Sequence, residues 1–454
     1  MPIGLLVKLV AGTIFLSIYT VYYGDGQLTA DAGKFLEEGK ILNDVFYDSP
    51  KAYFQFMFNL ETHEMVMHYL SETIHWSGDP NAVVNDSKNL VKLYSIFNFI
   101  SFGYAPINLL LTNFMSLFGV YHLYKAFQPF VKLPSKWLFY ILLLAPSTLF
   151  WSSGLLKEPF LFLGLGLFCR ALLVKDPIMK RTTFFIVGAI FLVGFKPYTL
   201  VAIFLSIIVY FIFQFCKQRS IALGILASSV ITLCIWVYNS GETKFVQLIS
   251  AKQSDFIGIS KGGTYMRNDS VYFIFTDEQM QFFEARDTAY FLQKAIDAEY
   301  VFPYDRSAPK KATALPNSQP WWYGFRYSSC GSYIPVTYID YSSKNLIRNI
   351  PEAIFNASFR PLVNDPGSNL KYFATAELIL LFGFLVFAIL KRRVLSRKEF
   401  SIVMTLFTFA IAVLLLIGWT TPVLGAIVRY RFPAYIAIGL IGMIVIDNTK
   451  IWKR

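Results

Sequence analysis

An all-α polytopic membrane protein, with about ten transmembrane helices and a mixed extracytoplasmic cap, is the fold class predicted by three observations. The first is composition: of 454 residues 55% are hydrophobic, 18% aromatic and only 15% charged, with a mean hydropathy of +0.48. A soluble domain carries far more charge. The second is a series of apolar runs near the roughly 20 residues needed to cross about 30 Å of hydrocarbon. The third is the placing of Lys and Arg, which gather in alternate loops as cytoplasmic loops require.

Taken in order, residues 3–23 form the first run. Lys8 ahead of an apolar core resembles a signal peptide, but no small-residue cleavage site follows, so an uncleaved span is expected. Residues 24–89 are acidic, with 11 Asp or Glu against four Lys, which favours the outer side. Run 90–102 is too short to cross and ends at Gly103 and Pro106. It is expected to be interfacial or re-entrant, with 107–124 as the second span.

The remaining spans are expected at 137–151, 159–174, 183–195, 199–216, 221–238, 372–390, 401–418 and 432–446. Every inner loop in this scheme is basic: Lys125, Lys132 and Lys136; Lys175, Lys180 and Arg181; Lys217 and Arg219; Lys391, Arg392 and Arg393; Lys450, Lys453 and Arg454. Both termini then lie inside. The domains read as 1–23 (first helix), 24–106 (acidic outer loop with interfacial helices), 107–238 (helices two to seven), 239–371 (extracytoplasmic segment) and 372–454 (helices eight to ten). In 239–371 the charges nearly cancel, 14 basic against 13 acidic. Residues 276–299 there carry a helical pattern (Met280, Phe283, Phe291, Ala295), and 332–339 reads as extended.

Several functions are disfavoured. The net charge of +12 follows from the loop bias rather than from a basic face, so nucleic acid is not an expected partner. Four cysteines, three of them in or beside apolar runs, give no disulfide framework and no zinc spacing. His63 and His68 are five apart, whereas a helical zinc pair needs i and i+4. No metal ligands are assigned.

The polar residues at the expected outer span ends are more particular: Asp25 and Asp31, Lys157 and Glu158, Lys196 and Tyr198, Arg360, and Arg429 and Arg431. Outer cations run against the positive-inside trend, and a lipid phosphate at that depth gives them a reason. Each has a plainer alternative. Lys157 and Glu158 pair with each other, Lys196 snorkels, Asp25 sits in a Gly24–Gly26 turn, Asp31 caps a helix, and the late arginines neutralise carboxylates of the cap.

Three stretches carry a resemblance. Asp31-Ala-Gly-Lys-Phe-Leu-Glu-Glu-Gly-Lys-Ile-Leu42, behind the first span, resembles the first outer loop of integral-membrane glycosyltransferases of the GT-C type. Pro146-Ser-Thr-Leu-Phe-Trp-Ser-Ser-Gly-Leu-Leu-Lys-Glu158 is similar to a hairpin of bacterial members, and Arg429-Tyr-Arg-Phe-Pro433 to their late Arg-Tyr-Arg-x-Pro motif. The resemblance implies transfer of a sugar from a polyprenyl-phosphate donor to a glycan, lipid or protein acceptor in cell-envelope polysaccharide or glycoconjugate synthesis. Asp31, with Asp25 beside it, is then the catalytic carboxylate. Arg429, Arg431, Lys157 and Lys196 become donor-phosphate contacts, supported by Glu158, Tyr198 and Arg360. That family often has an acidic pair directly after its first span and its soluble part at the C-terminus; this chain departs on both counts. O-antigen polymerases, with ten or more spans, a large outer loop and outer arginines, are the runner-up.

Transfer at an outer face has no ATP, so it needs an activated donor, a base for the acceptor hydroxyl and cations for the departing phosphate. A divalent cation is compatible with this chemistry. The expected location is a bacterial inner membrane, with the active site extracytoplasmic. A flippase or transporter is the rival class, marked by polar, broken helices near the midplane.

Overall fold

The computed structural model describes residues 2–73, 75–76, 85–216, 218–241, 243–268, 271–286, 289–302, 305–316, 319–327 and 329–448. The chain is a helical membrane protein. Among the described residues six helices are long and apolar enough to span a membrane, or up to eight if each of two bent helix pairs is one span. The chain divides into two compact units: residues 1–214, 380–410 and 435–454, and residues 215–379 and 411–434.

The first unit opens with α1 (Pro2–Ser17), which a π-turn extends to Tyr22. Next come α2 (Ala30–Asp48), α3 (Pro50–Met57), α4 (His63–Tyr69) and α5 (Asp86–Ser101). Phe102 and Gly103 adopt left-handed backbone, and the chain turns through 115° into α6 (Ala105–Phe127). Run 107–124 is therefore the straight part of a bent pair.

The expected third span is interrupted at Ala145–Pro146 into α7 (Ser135–Leu144) and α8 (Pro146–Trp151), because proline cannot donate the helical hydrogen bond. The fourth is α9 (Glu158–Leu173). At 1.5 Å per residue, 10 residues of α7 and 16 of α9 reach only about 15 and 24 Å, short of the hydrocarbon thickness. Two long apolar helices, α10 (Ile178–Phe195) and α11 (Tyr198–Phe215), follow. Helices α6 and α9 touch backbone to backbone. A Cβ on Gly119 would meet the Leu163 backbone at 2.6 Å, and one on Gly166 would meet the Gly119 carbonyl at 2.1 Å. Small residues permit this approach where lipid supplies no hydrophobic drive between helices.

The second unit begins at α12 (Arg219–Asn239), an apolar helix whose Ile231, Ile235 and Trp236 are exposed. Water would penalise such a surface, whereas lipid does not. After α13 (Lys244–Lys261) the chain forms strands β1 (Gly263–Asn268), β2 (Val271–Phe275), β3 (Phe283–Arg286), β4 (Ala289–Leu292), β5 (Ile296–Phe302), β6 (Asp305–Ala314) and β7 (Trp322–Tyr327). The order is β6-β5-β2-β1-β7, antiparallel wherever register is defined, with β3–β4 a separate hairpin.

The helix expected over 276–299 is thus replaced by strands, apart from the single turn α14 (Asp277–Met280). Phe283 and Leu292 pair across the hairpin, and Phe275, Phe283 and Trp321 close an aromatic core. Aromatic cross-strand pairing outweighs a helical spacing that rested on four positions. Residues 332–339 stay outside the sheet and make one bridge, Tyr333 to Val423.

The second unit then adds α15 (Ser343–Arg348) and α16 (Ile350–Phe359). Next are α17 (Lys371–Leu390), α18 (Arg397–Thr420), α19 (Leu424–Tyr430) and α20 (Phe432–Val445), of which α17, α18 and α20 contribute residues to both units. Helices α19 and α20 are bent by 48°, so the expected tenth span is half of another broken pair.

Candidate functional site

In the first unit, ends that the sequence assigns to the inner side meet one another. The Arg393 guanidinium binds the Glu399 carboxylate at 2.8 Å and donates to the carbonyls of Phe130 and Ile444. Arg397 donates to the Phe213 carbonyl. Arg170, in the last turn of α9, pairs with Asp176 at 2.9 Å. Its hydrogen bond from Arg170 and the nearby positive charge hold the Asp176 carboxyl below the usual carboxylate range.

The outer-assigned ends meet at the other end of α9. Helix α5 starts on Asn85, whose side chain accepts from the Ser87 and Lys88 amides. This fixes Asp86 and Ser87 beside Lys157. The Lys157 Nζ lies 2.9 Å from the Asp86 carboxylate, donates to Ser87 Oγ at 2.8 Å, and stands 5.4 Å from the Phe35 ring centroid.

Glu158 takes a different partner. Fully buried in the first turn of α9, it lies 3.7 Å from Lys196 Nζ. Lys157 and Glu158, adjacent in sequence, thus each meet a partner from a distant segment, and Lys196 is buried instead of snorkelling. Lys196 ends α10 because Pro197 stops it, and the Tyr198 ring lies 5.9 Å from its ammonium.

Asp31 is exposed in the first turn of α2. Thr29, not Asp31, is the capping position. Ala32, Phe35, Leu36 and Gly39 are buried, as the helical pattern required. Asp31 stands one turn before Phe35, about 6 Å along the axis, on the side where Phe35 meets Lys157. Asp25 is exposed in a turn with φ +45°, its neighbours tied by Gly26 N–H to Thr20 O and Gln27 N–H to Gly24 O.

Sequence reasoning missed Glu38 and His75. Glu38 follows Asp31 by seven residues on the same face of α2. It is buried and 2.9 Å from His75 Nδ1, while the His75 ring stacks on Phe35 at 4.9 Å. The available signal was an acid at a core position of an amphipathic helix.

Sequence reasoning also read Lys8 only as an early charge. It is 1% exposed, and its Nζ reaches Ser152 O, Ser152 Oγ and Ser153 Oγ at 3.0, 2.9 and 3.1 Å. Asn113 Nδ2 holds Ser153 O at 3.0 Å. These donors satisfy the irregular segment between α8 and α9, which is buried from Ser152 to Lys157. Non-helical backbone is tolerated at membrane depth only in such surroundings.

The arginines lie in the second unit. Arg431 follows α19 and is fully buried; its Nη1 donates to Ala357 O at 3.2 Å and to Arg360 O. These carbonyls belong to the end of α16, where the helix leaves acceptors over and favours a cation. Arg360 binds Asn356 at 2.9 Å and pairs with Asp365. Arg429 is partly exposed, with its guanidinium 5.6 Å from the Tyr430 ring. Among the described residues no group of three His, Cys, Asp or Glu side chains is arranged to hold a metal ion.

Fold and composition define an integral membrane protein of helical class. No family model matches the chain, and no match to it was found among curated proteins or solved structures.

Proposed function

We propose that this chain is a membrane glycosyltransferase of GT-C type, moving a sugar from a polyprenyl-phosphate donor to an acceptor at the outer face. The supporting observation is the rim of the first unit, where Lys157 pairs with Asp86 and lies over the Phe35 ring, one turn along α2 from Asp31, and where Lys196 pairs with Glu158. Asp31 takes the acceptor proton, and the lysines offset charge on the departing phosphate. An O-antigen-type polymerase uses the same parts with a longer glycan. Purified protein with a panel of polyprenyl-phosphate sugars tests the reading: release of polyprenyl phosphate coupled to acceptor glycosylation supports it, and no turnover with any donor removes it.

A second reading, transport of a lipid-linked glycan, is favoured by the two bent helix pairs and the buried segment between α8 and α9. Movement of intact donor across proteoliposomes without glycosidic cleavage distinguishes it.

Ten spans with an outer cap remain part of this proposal, as does a bacterial inner-membrane setting. It places residues 24–89 and 239–371 on the same, outer side. Ser77 and Ser318, natural labelling positions in those segments, lie outside the described residues. Ser71 and Gln281 are exposed and described. Ser71→Cys and Gln281→Cys should both react with an impermeant thiol reagent in intact cells; reaction at only one site breaks the scheme.

For the late arginines, the expected outcomes differ. Arg429→Lys should keep a near-parental unfolding midpoint, because Arg429 is partly exposed. Arg431→Lys should lower thermal stability, since a lysine must bring its ammonium to the two helix-end carbonyls that the buried Nη1 reaches. Equal unfolding midpoints in the two variants would remove that structural role from Arg431.

A further inference from the structure

Glu38 and His75 form a carboxylate–imidazole pair that the proposed transfer has not yet used. Glu38 Oε2 is 2.9 Å from His75 Nδ1, and its Oε1 also accepts the His75 backbone N–H at 3.4 Å. The ring is fixed a second time by stacking on Phe35, 4.9 Å between centroids and 25° between planes. Glu38 Oε2 and His75 Nδ1 meet as a charge contact, and the backbone hydrogen bond and the stacked ring hold the imidazole beside the carboxylate.

The His75 side chain keeps 16% exposure beside that carboxylate. Phe35 carries His75 and Lys157 on one ring. Other charged groups close by are already matched: Lys157 with Asp86, and Lys88 with Glu61 beside Trp76. A carboxylate as buried as Glu38 is costly unless its charge is used.

We propose that His75, oriented by Glu38, is the acid that protonates the departing phosphate; this rests on the glycosyl-transfer reading above. The acceptor hydroxyl gives its proton to Asp31 and its oxygen bonds to the anomeric carbon. The bond from that carbon to the donor phosphate oxygen breaks, and the electron pair stays on that oxygen. A proton from the His75 ring passes to it, and both side chains then re-equilibrate with water. Nothing is oxidised or reduced.

Chemistry and spacing agree with this assignment. Imidazole is the side chain most often used to move a proton in such a step. Asp31 and Glu38 are separated by about 10 Å along α2. The two stand on one face of α2 with Phe35 between them.

The test uses the full-length protein in detergent with a panel of polyprenyl-phosphate sugars. His75→Ala should lose about 10²-fold in kcat with donor KM nearly unchanged. Added imidazole should restore at least a tenth of the parental rate. Glu38→Gln should lose kcat without imidazole rescue, since its ring is still present. A parental kcat in His75→Ala, or a loss that imidazole does not repair in folded protein, overturns the assignment. If the alanine variant does not fold, His75→Gln decides: a folded glutamine variant with parental kcat overturns the role, and a loss in kcat alone supports it. When the parent protein itself transfers no sugar from any donor, the glycosyl-transfer reading fails first, and the His75 role falls with it.

Discussion

Asp31→Asn is expected to lower sugar transfer by about 10²–10⁴-fold while the protein folds as before, the usual cost of removing a general base. Asp31 is exposed on the first turn of α2, so asparagine fits in its place without disturbing the core. Its charge does favour the helix N-terminus, worth about 0.3–1 kcal/mol, too little to unfold the chain. Asp25→Asn should change the rate much less. Asp25 lies in a turn with φ +45°, a conformation that asparagine adopts at least as readily. Initial rates with a fixed polyprenyl-phosphate donor measure both variants. Near-normal turnover in folded Asp31→Asn would take Asp31 out of the mechanism. Equal losses in the two variants would point instead to the net charge of the loop.

Lys8→Met should be the most destabilising change in the first membrane helix. Methionine fills similar space but cannot donate, so the Ser152 carbonyl and the two serine hydroxyls lose the Nζ they share. A buried acceptor left without a partner costs about 1–3 kcal/mol, and the hydroxyls recover part of their loss by rotating. A second contact raises the stakes. A Cβ on Gly12 would meet Ser153 O at 2.7 Å, and Phe15 packs within 2.9 Å of where Gly154 would carry one. Segment and helix therefore have little room to rearrange around a missing bond. Thermal unfolding in detergent should show a midpoint several degrees lower. Transfer should fall as well, because the same segment ends on Lys157 and Glu158. A Met variant with the parental midpoint would show that Lys8 does not hold the segment.

Much of the helical framework was legible because hydrophobic length is a property of a local stretch. Helices α1, α10, α11, α12, α17 and α18 fall where long apolar runs predicted them. The outer-assigned ends around Lys157 and Lys196, and the inner-assigned ends around Arg393, could be grouped from loop charge alone. Burial of Phe35, Leu36 and Gly39 likewise followed from helical spacing.

Local sequence could not decide how apolar runs break or which polar side chains meet. The stop near Gly103 and Pro106 was legible, whereas the break at Pro146 and the β3–β4 hairpin depend on neighbours that satisfy or pair the backbone. Those neighbours are remote: Lys8 reaches Ser152 across 144 positions. Lys157 finds Asp86, and Glu158 finds Lys196. Glu38 and His75 form their pair 37 residues apart. In sequence a lysine in an apolar run and a glutamate on a helix face read as isolated charges. Burial makes an unmatched charge costly, so the tertiary structure assigned each one its partner.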